Sequence, residues 1–198
     1  MMASPRSRKV ANKIRPPFVA RMCAFLLVLS AGPALGGKTL GGQNVDPNEI
    51  RKSQHATVSQ NIAHTTITII YNRPVARGRE LFGRLVPWGK PWCPGADTAT
   101  TISVSRDVLI NGATLPAGTY SVWAIPDSTR WTMIFSHAAK TFHIPYPEGK
   151  DALRVPAVPR AGPHMESLAF YFPAVDSTRA ELDLHWGETV VPMAIEAP

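Results

Sequence analysis

Beyond residue 54 the apolar residues of this chain fall in short alternating runs, each closed by proline or glycine before a helical period can develop. In Thr66-Ile67-Thr68-Ile69-Ile70-Tyr71, the side chains of Ile67, Ile69 and Tyr71 share one face, the pattern of a half-buried strand. Val108-Leu109-Ile110 and Ala113-Thr114-Leu115 flank Asn111-Gly112, two residues that tolerate positive φ and so form the strongest short-range hairpin signal. Pro116-Ala117-Gly118 turns the chain into residues 119–125, and Pro126-Asp127-Ser128 turns it again before residues 131–135. Leu168, Phe170 and Phe172 alternate, as do Leu182, Leu184 and Trp186. A last run, residues 190–195, carries Pro192, which donates no ladder bond and is therefore expected at a sheet edge. Prolines 145, 147, 156, 159 and 163 oppose a helix between His143 and His164, leaving room for one short turn at Asp151-Ala152-Leu153-Arg154. The pattern predicts an all-β domain, a single antiparallel sandwich or jelly-roll-like barrel of about eight strands.

The N-terminus is of another kind. The chain has 21 Lys and Arg against 14 Asp and Glu, a formal charge of +7, yet six of the cations and none of the acids lie in residues 1–36. The remainder is nearly balanced, 15 cations to 14 anions. A nucleic-acid binder keeps its positive charge on the folded part, so no nucleic-acid partner is expected. Residues 22–31 form an apolar run behind this basic stretch, bounded by Arg21 and by Gly32-Pro33. A bilayer-crossing helix needs about 20 apolar residues, so no stable membrane span is expected. The basic region, short apolar run and small residues Ala34-Leu35-Gly36 match a cleavable secretory signal. Residues 1–36 are read as that signal, cut near Gly36. Residues 37–54, polar and glycine-rich without a period, are read as a flexible linker, and residues 55–198 as the β-rich domain. The destination is the periplasm or the extracellular space. Only Cys93 remains after cleavage, so the fold rests on its core and not on an internal disulfide.

Gly32-Pro33-Ala34-Leu35-Gly36-Gly37-Lys38-Thr39 fits the phosphate-loop pattern. That chemistry needs a helix beginning at the lysine, whose free amides hold the phosphates. Here Gly41-Gly42, Asn44 and Asp46-Pro47 oppose a helix, and signal cleavage would cut the loop. No cofactor is expected.

An ordered string of motifs runs through the middle of the chain: Tyr71-Asn72-Arg73-Pro74, Arg77-Gly78-Arg79, Gly83-Arg84-Leu85-Val86-Pro87-Trp88-Gly89-Lys90 and Gly95-Ala96-Asp97-Thr98-Ala99-Thr100. Leu115-Pro116-Ala117-Gly118-Thr119-Tyr120, Ile125-Pro126, Asp151, Arg154, Glu166 and the run from Leu182 to Trp186 continue it. In these the chain resembles the bacterial family called domain of unknown function 2911, over roughly residues 53 to 196. The resemblance implies an exported protein with a β-rich domain and carries no established activity. The chain departs from the family's usual Trp-Arg-x-Gly-Ala-Asn at Trp92-Cys93-Pro94-Gly95-Ala96-Asp97, where a thiol replaces a five-donor guanidinium and a carboxylate replaces an amide.

Residues 77–101 hold the richest set of binding side chains, on glycine- and proline-rich loops of the kind that carry function on a rigid scaffold. Arg84, Trp88, Trp92, Asp97, Thr98 and Thr100 are the candidate ligand-binding residues. Exposed indoles beside charged and hydroxyl groups suit a small molecule or a glycan, with an apolar face for the ring and polar groups for orientation. The competing reading has both tryptophans plugging an end of the sandwich. Cys93 is expected to be a small buried hydrophobe and not a nucleophile. The six histidines lack metal-binding spacing, and no metal site is expected. Glu181, Asp183 and His185 share one strand face, but with Leu182, Leu184 and Trp186 facing the core they are expected to face water. The functional expectation is a binding or structural module of the bacterial envelope. The alternative is a hydrolase-like or metal-assisted enzyme using Asp97, Glu166 and a histidine, and protein partners are not legible.

Overall fold

A computed structural model describes residues 50–197, and every regular element among them is a β-strand. The expected signal segment and residues 37–49 of the expected linker lie outside the described residues. In chain order the strands are β1 (Gln54–Ile62), β2 (Thr65–Arg73), β3 (Thr101–Val104), β4 (Val108–Ile110), β5 (Ala113–Leu115), β6 (Gly118–Ile125), β7 (Trp131–Ser136), β8 (Asp151–Ala157), β9 (Arg160–Val175) and β10 (Arg179–Glu196). They form two antiparallel sheets, β1-β2-β3-β6-β7-β8 and β5-β4-β10-β9. The architecture is an all-β sandwich. No helix among the described residues is long and apolar enough to cross a membrane.

Alternation places the core. Ile67, Ile69, Ile102, Val104, Val122, Met133, Phe135 and Val155 come from the larger sheet, and Ile110, Leu115, Leu168, Phe170, Leu182, Leu184 and Met193 from the smaller. Each such side chain contributes roughly 1.5–3 kcal/mol when fully buried. Asn111 and Gly112, at φ 48° and 82°, make the expected hairpin turn between β4 and β5.

Ten strands stand where about eight are expected, because three runs carry weak patterns. β1 is polar apart from Ala56, Val58 and Ile62, β3 has only four residues, and β8 contains Pro156. An edge position accommodates that proline, since one side of β8 has no ladder partner. The two runs expected at 182–186 and 190–195 are one strand, β10, which lies inside its sheet and not at an edge. Pro192 fits there because it falls between two ladders. Pairing with β9 ends at Val190, and pairing with β4 occupies Ile195 and Glu196.

The β9–β10 ribbon folds over itself. Arg160 pairs with Val190 in the ladder, yet its Nη2 donates to Asp183 Oδ2 at 2.9 Å and to Glu181 Oε1 at 2.6 Å. A straight strand from Val190 to Asp183 would span roughly 24 Å, far beyond one arginine side chain. Register shifts on both sides of Gly187, at φ 60°, mark the fold. A Cβ on Gly187 would meet Leu81 Cδ1 at 2.8 Å, so the β2–β3 connection seats its leucine against the bend. The folded ribbon roofs Asp183 and His185, each 1% exposed. The expectation that these two face water is therefore corrected: strand alternation turns them from the core, and the arm of β9 covers them.

The larger sheet is also buried on part of its outer face. Trp92 exchanges both backbone hydrogen bonds with Ala124, taking the position beside β6 that β3 vacates. Alternation then sends the Trp92 ring into the main core and Cys93 outward, where Cys93, Ala99, Trp123 and Ile134 form a small second core.

Candidate functional site

The sequence-derived candidates separate into two groups. Asp97, Thr98 and Thr100 belong to the cover over the larger sheet, where their polar atoms serve the fold. Asp97, at φ 61°, pairs with Arg51 at 3.0 Å, and its carbonyl accepts from the backbone amide of His143 at 3.0 Å and from His143 Nδ1 at 2.7 Å. Asn72 Nδ2 donates to Ala96 O at 2.9 Å and to Thr98 Oγ1 at 3.4 Å. The fully buried Thr100 hydroxyl donates to Pro94 O at 2.7 Å, and the Thr100 amide donates to Cys93 Sγ at 3.4 Å. Burial pushes the Cys93 thiol up to about 12, so it stays protonated and unreactive.

Trp92 is partly buried and packs against the main core. It stacks on Trp186 and stands edge-on to Phe82 and Trp131. Trp88 is different. It touches the rim of this cluster through Phe82 and keeps 45% of its surface exposed.

Two clefts meet at Trp88, sharing Glu188 and Thr189 as common walls. One, about 350 Å³, is completed by Asp127, Ser128, Trp131, Pro159, Arg160 and Ala161. The other, about 370 Å³, is completed by Arg79, Leu81, Phe82, His164, Trp186 and Gly187. A third, about 530 Å³, adjoins the second through Arg79 and is lined by Gly78, Glu80, Arg84 and Leu85. Through these shared side chains the three clefts adjoin in series as a groove with aromatic rings about its centre. Arg84 lies at one end and Trp88 near the middle; Trp92, Asp97, Thr98 and Thr100 line none of the three.

Several rim groups are held in place. His164 Nε2 donates to Glu166 Oε2 at 2.9 Å, and Glu166 Oε1 accepts the Arg77 amide at 2.7 Å. These two donors hold the Glu166 carboxyl below its ordinary value. The amide and hydroxyl of Thr129 do the same for Asp127 through Oδ1. Arg79 turns back on its own β-turn, with Nε donating to Ala76 O at 2.8 Å and Nη2 to Val75 O at 2.6 Å. Positive φ at Arg77 and Gly78 makes that turn tight enough for Ala76 O to accept the Arg79 amide as well.

Below the groove, Arg160 ties to a buried polar network. His185 Nε2 donates to Pro163 O at 3.0 Å, and its Nδ1 shares a hydrogen bond with the Tyr171 hydroxyl at 3.1 Å. Asp183 Oδ1 is buried without a hydrogen-bond partner, and desolvation raises its carboxyl above the ordinary value against the pull of Arg160. Among the described residues, no three His, Cys, Asp or Glu side chains converge as a metal ion would require.

The model of a protein family of unknown function, DUF2911, matches residues 53–195. The chain belongs to the DUF2911 family. No match to a curated protein or to a solved structure was found. In this DUF2911 domain the segment with the most distinctive sequence, residues 92–97, is a structural cover, while the groove combines the motif residues Gly78, Arg79, Arg84, Leu85 and Trp88 with others the motifs did not single out. Glu188 and Thr189 follow Gly187, and a glycine inside a strand is a sign of a bulge or close backbone approach. That sign was present in Trp186-Gly187-Glu188-Thr189. His164 and Arg160 left no comparable trace, because their place in the groove depends on the folding of the ribbon.

Proposed function

We propose that this DUF2911 protein is an exported, periplasmic or extracellular binding module of the bacterial envelope that seats a glycan on Trp88. The observation that carries the reading is the half-exposed Trp88 ring standing between two clefts with shared polar walls. An indole face receives the apolar face of a sugar ring, and Glu188, Thr189, His164 and Arg79 offer acceptors and donors to its hydroxyls. The basic, short apolar leader supports export.

The test is a calorimetric titration of the protein with a panel of envelope-type oligosaccharides. Binding is expected for at least one of them, weakened at least tenfold in Trp88→Ala, as for a central aromatic anchor. Binding that ignores Trp88→Ala refutes the site. Sequencing the N-terminus of protein recovered from the periplasm or medium tests export, with cleavage expected near Gly36.

The hydrogen-bonded His164–Glu166 pair on the groove rim favours a second reading, a hydrolase-like enzyme. Such a pair is a general acid–base arrangement in which the carboxylate orients the ring. Asp97 has no contact with the pair among the described residues and drops out of this reading. Release of reducing ends from a bound oligosaccharide, abolished in His164→Gln, would favour the enzyme over the module.

A further inference from the structure

The three clefts differ in charge along their length, and the difference is built by internal pairing. At the end lined by Asp127, the one cation, Arg160, is already engaged by Glu181 and Asp183, so Asp127 and Glu188 leave that end negative. At the other end Arg79 and Arg84 face a single carboxylate, Glu80, and neither arginine forms an ion pair with an acid among the described residues. Arg79 is also fixed in advance. Two of its five N–H groups are bonded to the Ala76 and Val75 carbonyls, which orient the guanidinium without neutralising it and leave three donors. It lines both the aromatic cleft and the arginine cleft. A ring on Trp88 can therefore continue past Phe82 to a positioned, uncompensated cation.

Building on the glycan reading above, we infer that the ligand is an acidic saccharide of more than one ring, whose carboxylate or phosphate is received by Arg79 with Arg84 beside it. A guanidinium matches either anion with two parallel hydrogen bonds, so the groove selects the anionic group and not its source. The neutral, hydroxyl-rich part of the chain lies on Trp88 towards Glu188 and Thr189, whose oxygens accept from sugar hydroxyls.

The experiment is calorimetry on the whole protein with four probes: an oligogalacturonate, a neutral galacto-oligosaccharide of the same length, glucose 6-phosphate and inorganic phosphate. The acidic oligosaccharide is expected to bind about tenfold more tightly than the neutral one, the size of one charge-assisted hydrogen bond. Arg79→Gln should erase that preference, weakening the acidic oligosaccharide more than the neutral one, whereas Trp88→Ala should weaken both. Because Arg79 also braces its turn, Arg84→Gln, which removes no internal bond, serves as the second variant, with a preference reduced about threefold. A preference for glucose 6-phosphate over the neutral sugar, lost in Arg79→Gln, supports the inference and assigns the anion as phosphate. Equal binding of acidic and neutral oligosaccharides with no preference for glucose 6-phosphate, or a preference that survives both arginine variants, overturns the inference while the glycan reading stands. Failure of every saccharide to bind overturns both. Inorganic phosphate binding as tightly as the charged sugars reduces the site to a bare anion site and overturns the saccharide assignment.

Discussion

Trp92 lies flat against Trp186, with ring centroids 6.0 Å apart and planes inclined by 10°. The contact joins the loop between β2 and β3 to β10 across the end of the sandwich, and it separates two tryptophans that are only four residues apart in the chain. Trp92→Ala should cost about 3–5 kcal/mol, the range for truncating a packed aromatic. Trp88→Ala should cost about 1 kcal/mol or less. Chemical denaturation of the two variants measures the difference, and equal losses would place both rings in the core.

Asp97 and Arg51 form a partly exposed ion pair, a class worth about 0–1 kcal/mol. Asp97→Asn, which keeps a residue suited to the left-handed backbone at φ 61°, should therefore lower stability by no more than about 1 kcal/mol and change saccharide affinity by less than twofold. A tenfold loss of affinity at intact stability would return Asp97 to the binding site and redraw the groove.

Cys93 is the lone thiol of the β domain and is 1% exposed. Ellman's reagent should leave it unmodified in the folded protein and titrate it fully in denaturant. Rapid labelling under native conditions would contradict its place between Trp123 and Ile134. Cys93→Ser should leave ligand binding unchanged, since the thiol lines none of the three clefts.

Burial makes the folded protein hold a proton at Asp183 that the unfolded chain releases near the ordinary value of 3.8. The stabilisation from that proton is complete below this value and declines as the pH rises through the higher folded-state value. Asp183→Asn has no such titration. As the pH rises above about 4, the melting temperature of the variant should therefore gain on that of the native protein. A gap constant over that rise would show that Arg160 fully compensates the buried carboxylate.

The strands with clear alternation, β2, β6 and β7, were legible from the sequence, as was the Asn111-Gly112 turn, because each depends only on neighbours a few residues away. β1 and β8 were hidden for a local reason: their inward positions are small or polar, or are followed by proline. The groove was half legible. Trp88 and Arg84 stood out by residue type, but nothing local distinguishes Trp88 from Trp92; their fates diverge only because Trp92 bridges to Ala124. Asp183 and His185 were misplaced for the same kind of reason. Period-two alternation says which way a side chain points, and only tertiary structure says whether something lies over it.

Leu81 under Gly187 gives the groove its mechanical character. The Trp88 loop and the Glu188 wall are riveted by one apolar side chain set into a backbone notch, so the walls cannot spread without drawing a leucine into water. In the proposed glycan site this fastening sets the walls before a ligand arrives, and the expected consequence is recognition by fit without an opening step.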